Sequence, residues 1–160
     1  MVFRRLAIAT LAVAFAAVSA AGSAVASERT SVMATVHQFV DGFNKGDTKS
    51  ALAACAAHVQ ILDDFPPHVW EGPTACLDWS NAYDVDAGKH GVTDGIVTLG
   101  TPWRVDVTGD RAYAVFPATY TYEQHGKPVT ESNAVYTFAL QKVAAGWRIT
   151  GWAWARPSSP

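Results

Sequence analysis

Apolar residues recur every three or four positions between Ser31 and Asn44, at Val32, Val36, Phe39, Val40 and Phe43. That period lays one apolar stripe along a helix and predicts an amphipathic helix over Ser31–Asn44 with Ser31 as its N-cap. Lys45-Gly46-Asp47 ends it: Gly46 suits the left-handed position after a helix, and Asp47 the cap of a second, Ala-rich helix over Thr48–Ala57. At His58 the pattern changes to alternation and predicts a strand over His58–Asp63, which Phe65-Pro66-Pro67 breaks. Pro73 opens a third predicted helix that runs to Asp84, with Cys76, Leu77, Trp79, Ala82 and Tyr83 available for burial. Asp84–Gly95 holds three glycines and reads as a loop.

From Ile96 onward the positions alternate or carry β-branched and aromatic residues. Strands are predicted over Ile96–Thr108, Arg111–Gln124, Val129–Val143 and Trp147–Ala155. Gly109-Asp110, His125-Gly126-Lys127 and Ala144-Ala145-Gly146 supply the turns. Pro102 and Pro117 belong at edges or bulges, because proline has no N–H for a ladder. Three helices ahead of an antiparallel meander make an α+β domain, with the helices packed on one face of a curved sheet.

The start of the chain changes the setting. Arg4-Arg5, the apolar run Leu6–Ala21 and the small residues Ala24-Val25-Ala26 form the three regions of a secretory signal peptide, residues 1–26, cut after Ala26. The run is short and Ala-rich for a retained membrane span. Residues 27–160 are then a single domain, secreted or periplasmic, with no membrane association after cleavage. Two cysteines, Cys55 and Cys76, meet an oxidising compartment there and are expected to form a disulfide. The net charge of -2 gives no broad attraction to nucleic acid or anionic lipid.

The segment Gln38-Phe39-Val40-Asp41-Gly42-Phe43-Asn44-Lys45-Gly46-Asp47 resembles the first helix and helix-to-helix turn of the nuclear transport factor 2-like superfamily. Gly146-Trp147-Arg148-Ile149-Thr150-Gly151-Trp152-Ala153-Trp154 resembles its last strand, and the element order agrees from Ser31 to Arg156. Within that superfamily the chain is most similar in style to SnoaL-like, ketosteroid-isomerase-like small domains. The resemblance implies a cone in which helices and a strongly curved antiparallel sheet enclose a pocket. Such domains include isomerases, dehydratases, cyclases and members without chemistry, so the fold does not set the function.

The resemblance puts Asp64 at the general-base position, just before the apolar Phe65-Pro66-Pro67, where a low-dielectric wall would raise its pKa. It puts Phe39 where a donor Tyr is expected, and Tyr136 or Thr137 near the place of a second acid. A base without oxyanion donors forfeits the larger share of the rate enhancement. The first expectation is therefore a non-catalytic pocket for a small, largely apolar molecule. The alternative is an isomerase-, dehydratase- or cyclase-type enzyme with Asp64 as base, helped by His68 in an Asp64–His68 dyad, or by Tyr120 or Tyr136. The spacing of His58 and His68 with the two aspartates matches no metal motif, and no phosphate loop, nucleophile elbow or Cys/His cluster implies a metal or cofactor.

On the last strand the resemblance turns Ile149, Gly151, Ala153 and Ala155 toward the cavity, their small size leaving room for a ligand. Arg148, Thr150, Trp152 and Trp154 would then face outward, where Trp suits a homodimer interface or a purely structural dimerisation domain. A slip of one residue would exchange the two faces. Trp70, Trp79, Tyr83 and Trp103, with Phe39, Tyr120 and Tyr136, are the further candidates for the cavity wall, and Glu131 reads as a solvated edge charge.

Overall fold

The computed structural model describes residues 13–156, with side chains from residue 24 onward. The expected signal peptide lies outside the described residues over 1–12, and the rest of it continues the first helix. In chain order the elements are α1 (Val13–Asn44), α2 (Thr48–Ala53), β1 (Cys55–Leu62), β2 (Val69–Gly72), α3 (Ala75–His90), β3 (Val92–Leu99), β4 (Arg104–Thr108), β5 (Arg111–Gln124), β6 (Lys127–Val143) and β7 (Gly146–Ala155). One seven-stranded sheet runs β2-β1-β7-β6-β5-β3, with β4 also pairing β5. The domain is α+β, with three helices against a large, curved, unclosed sheet. The sheet is mixed, because β1 lies parallel to β7.

The predicted apolar stripe is the core stripe. Val32, Val36, Phe39 and Val40 are all at most 4% exposed and pack against the inner sheet face, where Phe116, Phe138, Leu140 and Ile149 are buried. The Phe39 ring lies 6.2 Å from Phe138 and 6.1 Å from Trp152. Burying each such side chain is worth roughly 2–3 kcal/mol. α1 begins well before Ser31, so Ser31 is interior rather than a cap, and its hydroxyl donates to the Ser27 carbonyl at 3.1 Å. Asp47 does cap α2, accepting from the Ser50 N–H at 3.0 Å. Gly42 lets α1 and α2 close: a Cβ there would sit 2.8 Å from the Ala51 nitrogen.

Several boundaries differ from the sequence expectation. α2 stops at Ala53 because β1 already starts at Cys55. α3 starts at Ala75 and runs to His90, through the stretch read as loop. Gly88 is tolerated inside it, and Gly91 ends it in the left-handed region at φ 64. The short β2 escapes notice between prolines. The expected strand over Ile96–Thr108 divides at residues 100–103 into β3 and β4. Pro117 is inside the central strand β5, at the point where its partner changes from β3 to β4. Leu99 pairs Ala118, Arg104 pairs Val115, and Gly100 donates to the Pro117 carbonyl at 2.8 Å.

Two irregularities in the ladders decide which side chains face inward. Between β6 and β7, Ala139 pairs Gly151 and Leu140 pairs Ile149, so Thr150 is an extra residue. Trp147 and Ile149 point inward before it, and Trp152 and Trp154 after it. Between β5 and β6, Ala118 pairs Ala134 and Tyr120 pairs Glu131, leaving Ser132 and Asn133 out of the ladder, with Asn133 at φ 64. Such bulges bend a strand and reset its alternation.

The disulfide joins Cys55 at the start of β1 to Cys76 on α3. Trp147 Nε1 donates to Glu28 at 2.7 Å, and Lys142 pairs the same carboxylate, tying α1 to the far end of the sheet.

Two outcomes are expected in chemical denaturation. Reducing Cys55–Cys76 should lower stability by about 3 kcal/mol, and free thiols in the denatured, unreduced protein would contradict the bond. Gly42→Ala should cost about 1–3 kcal/mol by overpacking the α1–α2 contact, whereas Gly88→Ala, with nothing near its Cβ position, should not destabilise.

Candidate functional site

α3, the C-terminal end of α1 and the open ends of β3, β5, β6 and β7 surround a cavity of about 560 Å³. Cys76, Trp79 or Ser80, Tyr83 and Ala87 recur at helical spacing on α3, so the disulfide holds in place the helix that lends Trp79, Ser80, Tyr83 and Ala87 to the wall. Asn44 pins the end of α1 to β3 by donating to the Val97 carbonyl at 2.8 Å and accepting from its N–H at 2.9 Å.

Of the two aspartates that follow β1, Asp63 is the one turned into the cavity. Val59 and Ile61 are buried on β1, and the same alternation carries Asp63 inward. Trp79 Nε1 donates to Asp63 Oδ2 at 2.8 Å, and the Asp64 N–H donates to Asp63 Oδ1 at 2.8 Å. Burial pushes the Asp63 carboxyl up to about 6 from an ordinary 3.8, against the opposing pull of the Trp79 hydrogen bond.

Asp64, expected as the base, points instead to an ionic cluster at the mouth. Arg156 pairs both Asp64 and Glu131, and Glu131 also accepts from the Tyr122 hydroxyl at 2.9 Å. Glu131 is therefore a paired cavity group, turned inward by the bulge at Asn133, rather than a solvated edge charge. The Asp64–His68 dyad does not form. His68 is exposed at φ 74 in the turn after β1, and its Nδ1 lies 3.1 Å from the Asp63 carbonyl oxygen.

Three tyrosines complete the polar lining. The Tyr83 and Tyr120 hydroxyls hydrogen-bond each other, and burial raises the pKa of both. Gly95 makes room for them: a Cβ there would lie 2.5 Å from the Tyr120 hydroxyl and 2.8 Å from that of Tyr83. Tyr136 is 5% exposed, and burial, then the charge of Asp63, raises its pKa. Among the described residues its hydroxyl has no hydrogen-bond partner.

Trp79, Tyr83, Tyr120 and Tyr136 thus come together as expected; the other wall candidates do not. Phe39 is core, beneath the cavity. Trp70 is buried against Phe65, with ring centroids 5.0 Å apart. Trp103 is 66% exposed at the corner between β3 and β4. Gly151 and Ala153 lie outside the lining; Gly151 serves the close approach of β1, since its Cβ would meet the Gln60 carbonyl oxygen at 2.9 Å. Trp152 is buried in the core and Trp154 lines the cavity, because the bulge at Thr150 exchanges the faces of β7. These two residues therefore offer no outer-face interface. Asp63, Tyr122 and Arg156 are cavity groups that the sequence pattern did not single out, and Trp154 reaches the cavity by the exchange of faces that a one-residue slip allows. For Asp63 the signal was present in the alternation of β1.

This cone shares its architecture with solved structures of low sequence identity. An NTF2-like protein with a cystatin-like fold from Novosphingobium aromaticivorans superposes with a TM-score of 0.71 at 15% identity, covering 88% of this chain and 89% of that one. The chain has the nuclear transport factor 2-like fold. Two other structures with this fold are a hexachlorocyclohexane dehydrochlorinase from Novosphingobium barchaimii (TM-score 0.69, 14% identity, 81% and 86% covered) and a ketosteroid isomerase-like protein from Erwinia carotovora atroseptica (0.65, 17%, 83% and 98%). No family model and no curated protein matches the sequence. At these identities the NTF2-like likeness establishes the fold, and the chemistry rests on the cavity's own residues.

A raised folded-state pKa makes Asp63 a pH-dependent liability. The folded protein holds the proton up to about pH 6, while the unfolded chain releases it near 3.8. Stability should therefore fall as pH rises through that window, by up to about 3 kcal/mol. Denaturation at pH 4 to 7 should show this slope in the wild type and its loss in Asp63→Asn.

Proposed function

We infer that the cavity is a binding site for a small, largely apolar molecule that presents a polar group to Asp63. The observation carrying this reading is the cavity itself, about 560 Å³, walled by aromatic rings and holding an inward carboxylate near a Tyr136 hydroxyl that has no partner among the described residues. Pockets of this kind combine apolar walls with a few placed polar groups. Native mass spectrometry of protein from its producing cells tests it: a retained small molecule, displaced on Trp79→Ala, is the expected outcome. Apo protein that binds no member of an apolar small-molecule library would remove the reading.

A second reading, catalysis of the isomerase or lyase class, is favoured by the pKa of Asp63. A carboxyl near 6 is mostly ionised at neutral pH yet basic enough to take a proton from an activated C–H group. In the Tyr83–Tyr120 pair one proton bridges the oxygens and the other stays free to receive a developing oxyanion. The dehydrochlorinase and isomerase-like neighbours share the fold. With a turned-over substrate in hand, the rate should rise with pH through about 6 and fall ~100-fold or more in Asp63→Asn. A rate indifferent to that substitution would exclude Asp63 as base.

Export and self-association complete the proposal. The Cys55–Cys76 bond is compatible with an oxidising compartment, and no described helix is long and apolar enough to cross a membrane. On the outer sheet face Leu62, Val69 and Tyr113 are 51%, 49% and 43% exposed, and a second copy of the chain is the partner proposed to cover them. Light scattering should give a dimer mass that Leu62→Asp reduces to a monomer; a monomeric wild type at micromolar concentration would refute the pairing.

A further inference from the structure

We propose that the polar group this cavity recognises is a protonated amine, so that its ligand is an organic cation with an apolar body. The inference rests on the binding reading above and names the ligand class for that same site.

The charge of the lining points one way. Asp63, Asp64, Asp84, Asp86 and Glu131 border the cavity, against Arg156 as the permanent cation among the described lining residues. Arg156 is held by Asp64 and Glu131, and His90 adjoins Asp86 at 3.3 Å, which leaves Asp63 and Asp84 without a cationic partner among the described residues. Side chains of like sign that converge on a cleft set the potential a ligand meets there.

The hydrogen-bonding inventory points the same way. The Trp79 N–H is committed to Asp63, the Asn44 amide N–H to Val97, the Tyr122 hydroxyl proton to Glu131, and the Arg156 guanidinium to two carboxylates. A carboxylate ligand, which only accepts, would have the Tyr136 hydroxyl, the Trp154 N–H and one proton of the Tyr83–Tyr120 pair left to it, and would meet them beside the acidic groups of the lining. An ammonium, which only donates, finds the Asp63 carboxylate and the tyrosine oxygens. Tyr136 supplies an independent mark of a ligand position. It is 5% exposed and lines the cavity, yet its hydroxyl has no hydrogen-bond partner among the described residues. Among the described residues Trp152 Nε1 is the side-chain atom sealed from solvent without a partner; the Tyr136 hydroxyl is not sealed in this way, because it opens onto the cavity.

The walls suit the same charge. Phe43, Trp79, Tyr83, Tyr120, Tyr122 and Trp154 present aromatic rings to the space. Ring faces carry negative quadrupole potential and attract alkylammonium groups more strongly when water is excluded. Acidic groups and aromatic rings together form the environment a hydrophobic amine needs.

The test uses three probes on one framework: naphthalene-1-methylamine, naphthalene-1-methanol and 1-naphthoic acid, titrated into the protein at pH 7.5 by calorimetry and by tryptophan fluorescence. The amine should bind about tenfold tighter than the alcohol, and the acid more weakly than both. Asp63→Asn should remove most of the amine's advantage while the alcohol stays within about threefold. Asp84→Asn, an exposed position suited to a substitution that leaves the fold intact, should reduce the advantage about twofold. An alcohol that binds while the amine binds no better than the acid would overturn the cationic preference alone. An amine advantage that survives both substitutions would overturn the assigned groups. No binding by any of the three would remove the cavity reading together with this one.

Discussion

The last strand carries one residue more than its partner can pair, and the inner half of the molecule is arranged around that fact. Up to Ile149 the odd positions of β7 face the helices; past Thr150 the even ones do. Trp152 is thereby driven into the core against Phe39, and Trp154 and Arg156 are carried to the cavity. Trp152 meets Trp79 with ring centroids 4.8 Å apart and nearly perpendicular, so the strand, α1 and α3 lock at one aromatic junction. Edge-to-face contacts of this sort stabilise beyond the area they bury. The same junction sets the position of Trp79, whose indole N–H then orients the Asp63 carboxylate.

The irregular ladders also explain how a sheet of ordinary alternating strands encloses a charged pocket. The bulge at Asn133 turns Glu131 inward, where it meets Arg156 from the far side of the Thr150 bulge. An irregularity between Thr93 and Ile96 places Gly95 beneath the Tyr83–Tyr120 pair. In each case strand geometry brings in a polar side chain, or the space for one, that strict alternation would have sent elsewhere. Bulges bend strands and re-aim side chains together, so curvature and cavity chemistry share one cause.

Asp63 shows the tension between stability and use. A half-buried carboxyl with a raised pKa works against folding at neutral pH, and it is retained where two hydrogen bonds orient it toward open space. Asp64, one residue on, has the opposite fate: exposed and bound to Arg156, it closes the mouth. The two are interchangeable as letters in a turn. Their roles separate because strand alternation carries one inward and the other out.

The amphipathic stripe of α1, the Asp47 cap, the pairing of the two cysteines and the extents of β5 and β7 were legible in the chain, because each depends on local period, capping chemistry or a simple count. The resemblance of both ends to the nuclear transport factor 2-like pattern led to the right cone. The alternation of β1 also contained the inward direction of Asp63, although the family pattern drew attention to its neighbour. What the chain alone did not decide was the length of α3 past Gly88 and the features that depend on a partner strand: the division of β3 from β4 at Pro102 and the facing of Trp152, Trp154 and Glu131. A bulge is a property of two strands in register and leaves no mark in the period of either one. Composition and spacing therefore determined the layers of this protein, while the tertiary pairing determined which charges and rings meet inside them.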